Sequence, residues 1–206
     1  MNIKLFDFRS ALSHPSIYEF FKIIIKGRDV RYLYVKKYIK PKEGDRVLDI
    51  GCGPANILEH FPNVEYVGFD IEKKYIDSAI KYFGSRGQFF CKKLSRDVLG
   101  EKTEFDIVIA IGVLHHLNDD EAMELFELAN SVMKSSSRLI TVDGCYTDGQ
   151  SGLARFILSR DRGRYVRTKE AYINLASKVF SDIKVNIHDD LLRIPYTHIV
   201  MECSKN

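Results

Sequence analysis

Short apolar segments alternate with amphipathic segments over most of the chain after residue 45. Phe105–Ile111 is almost continuously apolar, which is typical of a strand buried on both faces of a parallel sheet. Val64–Asp70 alternates apolar and polar positions and ends in an acidic residue, as a half-buried strand does. The pattern predicts the strands Arg46–Ile50, Val64–Asp70, Gln88–Cys91, Phe105–Ile111, Arg138–Val142, 183–188 and 196–203.

The segments between these strands carry apolar residues at helical spacing. Lys73–Phe83 has one apolar face, and the clearest helix follows a capping box in which Asn118 pairs with Glu121. Thr168 is the predicted cap of a last helix. Further helices are expected directly after Gly53, with Ile57, Leu58 and Phe61, and within residues 14–40, with a stop at Gly27.

Alternating strands and helices of these lengths imply parallel βαβ units in a three-layer α/β sandwich. We expect one domain over residues 1–206, in which residues 1–43 form a helical amino-terminal lid. Residues 144–167 show no clear element. A connection of that length inside a compact domain is usually functional, so this insertion is expected to cover a substrate.

A glycine-rich turn follows the first predicted strand. Asp49 stands near the end of that strand, and Gly51 and Gly53 come directly after it. Glycines allow a tight turn and let the backbone approach a ligand with no Cβ in the way. Asp70, at the end of the second strand, is placed to hold a ribose. This layout predicts a nucleotide-type cofactor, which NAD would also satisfy, although Asn56 stands where the third glycine of a dinucleotide-binding turn belongs.

Two later segments favour a different cofactor. Together with the acid-x-Gly-x-Gly turn, Phe105–Leu117 and Arg138–Asp143 resemble the corresponding segments of class I S-adenosylmethionine (SAM) dependent methyltransferases, of the type 11/12 kind. The resemblance covers about residues 44–143. It implies a Rossmann-like three-layer sandwich with a seven-stranded, mostly parallel sheet and an antiparallel last strand. It also implies SAM as cofactor and S-adenosylhomocysteine (SAH) as product.

The same resemblance assigns the cofactor residues. Asp49 would lie by the amino-acid end of SAM, and Asp70 would hold the ribose. Many family members have an acid just after strand three, but this chain has Cys91-Lys92-Lys93 there. Either Asp97 or a backbone group would then make the adenine contact. The full set of predicted cofactor-binding residues is Asp49, Gly51, Cys52, Gly53, Asp70, Ile71, Asp97 and Ile111.

The acceptor side offers fewer signals. His115 and His116 follow the fourth strand, where a histidine can serve as general base, and His116 is the preferred candidate. Both histidines have an alternative structural interpretation. Five arginines lie within 155–167, and Arg162 and Arg167 are predicted to bind an anionic acceptor, unless this loop is simply a solvated basic surface. The connection 191–198 can reach the same pocket or serve only as packing.

Composition limits the other possibilities. The net charge of +3 is too small to argue for nucleic acid, and the four cysteines form no C-x-x-C pair, so no metal site is expected. No apolar segment is long enough for a membrane span, and the amino terminus lacks the apolar core of a signal peptide. These features predict a cytoplasmic protein, monomeric or homodimeric, that acts on a small-molecule acceptor.

The leading hypothesis is therefore a SAM-dependent methyltransferase acting on a small molecule, with oxygen as the acceptor atom. The alternatives are an RNA or protein methyltransferase and a non-catalytic SAM-binding subunit. An NAD-dependent oxidoreductase is disfavoured by Asn56 and by the lack of a Tyr-x-x-x-Lys pair.

Overall fold

A computed structural model of the protein describes residues 30–99, 104–161 and 163–205. A single mixed sheet forms its centre. The strand order is β3-β2-β1-β4-β5-β8-β7, and the short β6 pairs with the end of β5. The strands are β1 Arg46–Ile50, β2 Glu65–Asp70, β3 Gly87–Cys91, β4 Phe105–Ile111, β5 Met133–Tyr146, β6 Arg167–Thr168, β7 Asp182–His188 and β8 His198–Ser204.

Strands β1 to β5 are parallel to one another, whereas β8 is antiparallel to both β5 and β7. The predicted mostly parallel sheet with an antiparallel last strand is therefore confirmed. The order places β1 and β4 side by side at the centre, with Leu48 opposite Val108. The carboxyl ends of these two strands consequently share one edge of the sheet, where such sheets bind their ligands.

Six helices of the described residues flank the sheet. The predicted capping box of α4 is present, because Asn118 accepts from the Glu121 N–H and Glu121 accepts from the Asn118 N–H. Thr168 caps α6 as predicted. The helices are α1 Val30–Tyr34 with a π-helical continuation Val35–Ile39, α2 Lys73–Phe83, α3 Arg96–Leu99, α4 Asp119–Val132, α5 Gly152–Ser159 and α6 Lys169–Ala176.

The core consists of two apolar clusters, one on each face of the sheet. Successive side chains of a strand point to opposite faces, so Leu48 joins one cluster and Val47 the other. Helices α4 and α6 pack on the first face, and α1 and α2 pack on the second. The first cluster includes Leu48, Val108, Phe126 and Tyr172, and the second includes Val47, Ile109, Ile76 and Tyr34.

The structure corrects two helix predictions. After the glycine turn there is only a five-residue 3-10 helix, Asn56–His60. Phe61 is extended there, because the following Pro62 disfavours a helical conformation in the residue before it. In the insertion, predicted to lack any element, α5 forms with Ser151 as its cap. Two apolar residues of α5, Leu153 and Phe156, are exposed. The apolar positions of this segment therefore do not form the one-sided pattern by which a helix is predicted from sequence.

At the amino-terminal side, the described part of the predicted lid is firmly packed. Tyr34, Tyr38 and Ile39 are buried in the second cluster. The predicted helical residues 14–29, including the stop at Gly27, lie outside the described residues. None of the helices in the described ranges has the length and apolar character needed to cross a membrane.

Candidate active site

The glycine turn joins β1 to the carboxyl edge of the sheet. Gly51 and Gly53 have φ of +74° and +53°, which glycine adopts at low cost. The N–H groups of Gly51 and Cys52 both donate to the Phe69 carbonyl of β2, at 2.8 and 2.9 Å. A Cβ on Gly51 would lie 2.6 Å from Cγ2 of Val113, whereas a Cβ on Gly53 would meet no atom within 4 Å. Gly53 therefore faces open space at the sheet edge.

Asp70 holds this turn in place. One carboxylate oxygen accepts from the Gly53 N–H at 2.9 Å, and the other accepts from the Glu72 N–H at 2.8 Å. Ile71, the next residue, is 71% exposed, which is unusual for isoleucine. Asp70 thus lies beside the glycine turn with an exposed apolar residue directly after it, and the predicted roles of both residues in cofactor binding stay predictions.

Asp49 is buried beneath the turn. The Tyr66 hydroxyl donates to its carboxylate at 2.5 Å. Burial raises the pKa of Asp49 to about 7, although the Tyr66 hydrogen bond lowers it, and the charge of Asp70 raises it further. No cationic side chain among residues 30–99, 104–161 and 163–205 forms an ion pair with Asp49. A positively charged ligand group would complement this carboxylate, and the amino group of SAM has that charge.

The structure describes the side chains of two of the other predicted cofactor residues, Cys52 and Ile111, but not that of Asp97. Cys52 is buried against Gly68, and burial raises the pKa of its thiol, so it is a neutral packing group in the turn. Ile111 is half-buried at the end of β4. Asp97 belongs to α3, but its side chain lies outside the described residues, so its predicted adenine contact stays a prediction.

Directly after β4, His115 forms a buried pair with Asp143 of β5. The ring Nδ1 lies 2.7 Å from Asp143 Oδ1, and the His115 backbone N–H donates to the same oxygen at 3.2 Å. Burial lowers the pKa of His115, but the hydrogen bond and charge of Asp143, together with the charge of Asp161, outweigh it and raise that pKa. This contact fixes the ring orientation and leaves Nε2 as the nitrogen that can face a substrate.

His116 lies in the same 3-10 turn, Leu114–His116, but in a different environment. It is exposed, and its ring centroid lies 4.2 Å from that of His115. The sequence preferred His116 as base, whereas the geometry favours His115, because its ring is buried and has the Asp143 carboxylate on Nδ1. Val113, directly before this turn, packs on Gly51 of the predicted cofactor site.

Arg167 is a scaffold residue in this structure. Its Nε and Nη2 donate to Asp119, its Nη1 donates to the Leu114 and Tyr165 carbonyls, and Nη2 also donates to the Leu117 carbonyl. These contacts use all five N–H groups of a guanidinium. These contacts favour a scaffold role over the predicted binding of an anionic acceptor, because they leave no donor for it. Arg162, the other predicted anion ligand, lies outside the described residues.

Three aromatic side chains also lie together at this edge, and the sequence did not predict that they form a group. The ring centroid of His198 lies 6.5 Å from that of Tyr34 and 4.7 Å from that of Tyr196. A Cβ on Gly144 would meet the Tyr196 hydroxyl oxygen at 2.3 Å and Leu158 at 2.8 Å, so these side chains crowd the residue next to Asp143. Tyr34 and His198 are far apart in sequence, and only the fold brings them together.

Comparison with known proteins agrees with the cofactor class that the sequence motifs predict. Residues 47–136 match a family described as a methyltransferase domain. The ubiquinone biosynthesis O-methyltransferase of Pelagibacter ubique (strain HTCC1062) is 28% identical over 138 residues, which cover 60% of this chain and 53% of that protein. The chain therefore spans about half the length of this curated relative.

Solved structures share the fold. The plantazolicin methyltransferase BpumL, in complex with a triazolic desmethylPZN analogue and SAH, has a TM-score of 0.67 and 15% identity, covering 96% of this chain and 94% of that one. The pyocyanin biosynthetic protein PhzM also has a TM-score of 0.67, with 16% identity over 96% of this chain and 62% of its own. Motifs, fold and sequence matches together support a class I SAM-dependent methyltransferase domain, a class whose cofactor is SAM and whose cofactor product is SAH.

Proposed function

We propose that this protein transfers the methyl group of SAM to an oxygen atom of a small molecule, with His115 as general base. The observation that carries the proposal is the buried Asp143–His115 contact of 2.7 Å at the carboxyl end of β4 and β5. Among the described residues, this histidine lies next to the turn that packs on Gly51 and has its Nδ1 fixed by a carboxylate. A hydroxyl acceptor needs such a base, whereas an amine that is already neutral does not.

SAM supplies an electrophilic methyl group whose transfer turns its sulfonium into the neutral thioether of SAH. In the proposed step, Nε2 of His115 takes the acceptor hydroxyl proton as the oxygen–carbon bond forms and the carbon–sulfur bond breaks. Asp143 orients the ring and stabilises the imidazolium that results. The buried carboxylate of Asp49 would face the amino group of SAM, and Asp70 its ribose hydroxyls.

A small acceptor is supported by the crowded surroundings of Asp143. Tyr34 and His198 are buried there, and the Gly144 position has no room for a side chain. The Pelagibacter ubique relative is named as an O-methyltransferase, which agrees with an oxygen acceptor. The net charge of +3 gives little support to an RNA acceptor, and Arg167 is fully used within the protein.

Incubation with methyl-labelled SAM tests this proposal. Purified protein would be offered separate pools of phenols and catechols, other hydroxylated metabolites, RNA, and protein extract. We expect label in a small molecule, with the new methyl on oxygen as identified by mass spectrometry and NMR. Label found only in RNA or protein would contradict the proposal, and SAM binding without any transfer would favour a non-catalytic SAM-binding subunit.

Gly53→Ala is expected to weaken SAM binding at least about tenfold, because a Cβ there projects into the space left for the cofactor. Calorimetry with SAM measures this, together with thermal unfolding of the free protein. Gly149→Ala is the matched control, since Gly149 also has positive φ, +73°, and open space around its Cβ. Both variants should lose similar stability, but only Gly53→Ala should lose SAM affinity. Equal SAM affinity in the two would remove Gly53 from the cofactor site.

A further inference from the structure

A second carboxylate lies on the other side of His115. Oδ1 of Asp161 is 3.6 Å from Nε2 of the ring, and the Asp161 side chain is 19% exposed. The Tyr196 hydroxyl donates to Asp161 Oδ2 at 2.5 Å, and the Gly163 N–H donates to Oδ1 at 3.1 Å. The carboxylate is therefore held at the nitrogen that the proposed mechanism needs for the acceptor.

The segment after α5 covers the ring as well. The Tyr165 N–H donates to the His115 carbonyl at 3.0 Å. A Cβ on Gly163 would lie 2.0 Å from Cδ2 of His115, so this glycine packs directly on the imidazole. In this conformation the Asp161 carboxylate lies in front of His115 Nε2. An acceptor hydroxyl cannot occupy that position at the same time.

We propose that Asp161 is a positioning residue that caps the general base in the free enzyme, and that the acceptor hydroxyl replaces it at Nε2 before methyl transfer. This inference rests on the proposed function of His115. The residues that form the cap are Asp161, Gly163, Tyr165 and Tyr196.

The cap controls the protonation of the base. Two carboxylates face the imidazole, Asp143 from β5 and Asp161 from the segment after α5, and both favour the imidazolium. The other groups nearby are the His116 ring in the same turn and the Tyr196 hydroxyl, which reaches His115 only through Asp161. The capped histidine thus holds its proton to higher pH than the uncapped one, whose remaining carboxylate is Asp143.

Uncapping on acceptor binding gives a kinetic signature. The acidic limb of the pH profile of kcat/KM for the acceptor gives the pKa of the base in the free enzyme. The acidic limb of the pH profile of kcat gives the pKa of the base in the complex with substrate. In the wild type, the kcat limb should therefore lie at lower pH than the kcat/KM limb. Asp161→Asn and Asp161→Ala should move the kcat/KM limb to lower pH and leave the kcat limb where it is.

The decisive experiment compares these pH profiles with those of Asp148→Asn, which removes an exposed aspartate from the same insertion and should change neither limb. If both limbs move together in the Asp161 variants, Asp161 stays on His115 in the complex and the proposed replacement is wrong. If neither limb moves, Asp161 does not act on the base at all.

An NMR titration of the His115 ring in the free protein separates this inference from the proposed function. Asp161→Asn should lower the pKa of His115, whether or not an acceptor has been found. An unchanged titration would overturn the cap even in an active enzyme. A lowered pKa in a protein that labels no hydroxyl acceptor would leave the contact intact and refute the proposed oxygen transfer, and with it the replacement step.

Discussion

His115→Asn should lower kcat for methyl transfer by a factor of about 10²–10⁴, the range that a general base contributes. Asparagine keeps a polar side chain that can still contact Asp143, but it cannot take a proton at neutral pH. The affinity for SAM should change little, because the residues predicted to bind the cofactor are the glycine turn, Asp49 and Asp70. Steady-state kinetics with the labelled acceptor, together with calorimetry for SAM, measures both quantities.

His116→Asn is the matched control for that substitution. His116 lies in the same turn and carries the same side chain, but it is exposed and His115 is buried. We expect the His116 variant to keep kcat close to that of the wild type. A larger loss in the His116 variant than in the His115 variant would restore the assignment that the sequence preferred.

Arg167→Ala should lower the free energy of unfolding by about 3 kcal/mol, because it leaves one buried and two partly buried carbonyl groups without their donor. The guanidinium donates to the carbonyls of Leu114, Leu117 and Tyr165, which flank the histidine turn, and to Asp119 at the start of α4. Denaturant unfolding measures the loss. Arg167→Lys should recover only part of it, since an ammonium has three donors and lacks the planar fork.

Arg164→Ala is the control for the charge, since Arg164 is an exposed arginine three residues away. It should leave the free energy of unfolding within about 0.5 kcal/mol of the wild type. If Arg167→Ala were fully stable and instead raised KM for the acceptor, the anion-binding role predicted from the sequence would be correct and the scaffold role wrong.

Local sequence patterns predict an element well when all of its side chains lie in the same environment. Phe105–Ile111 is buried on both faces, and its predicted bounds match β4. Strand β5 is longer than predicted, because it begins at Met133 and includes the polar run Ser135–Ser137, which carries no strand signal. Its register against β4 shifts near Phe105, which no local pattern indicates.

The same distinction applies to the candidate site. Asp49, Gly51 and Gly53 lie within five residues of the sequence, so one short segment was enough to predict that they belong to the same site. The pair of His115 and Asp143 joins residues 28 positions apart, and the contact of Tyr196 with Asp161 spans 35. The sequence named both histidines as candidates, but burial and a partner on another strand distinguish them.

By itself, the sequence indicated the parallel α/β sheet, the glycine turn and the resemblance to class I SAM-dependent methyltransferases, because periodicity and glycine spacing act through neighbours along the backbone. Only the tertiary structure decided that Arg167 is a scaffold residue, that His115 is the histidine held by a carboxylate, and that Asp161 faces its second nitrogen. Hydrogen bonds and burial of this kind depend on which strands lie side by side. The order β1-β4-β5-β8 brings those segments together at one edge of the sheet.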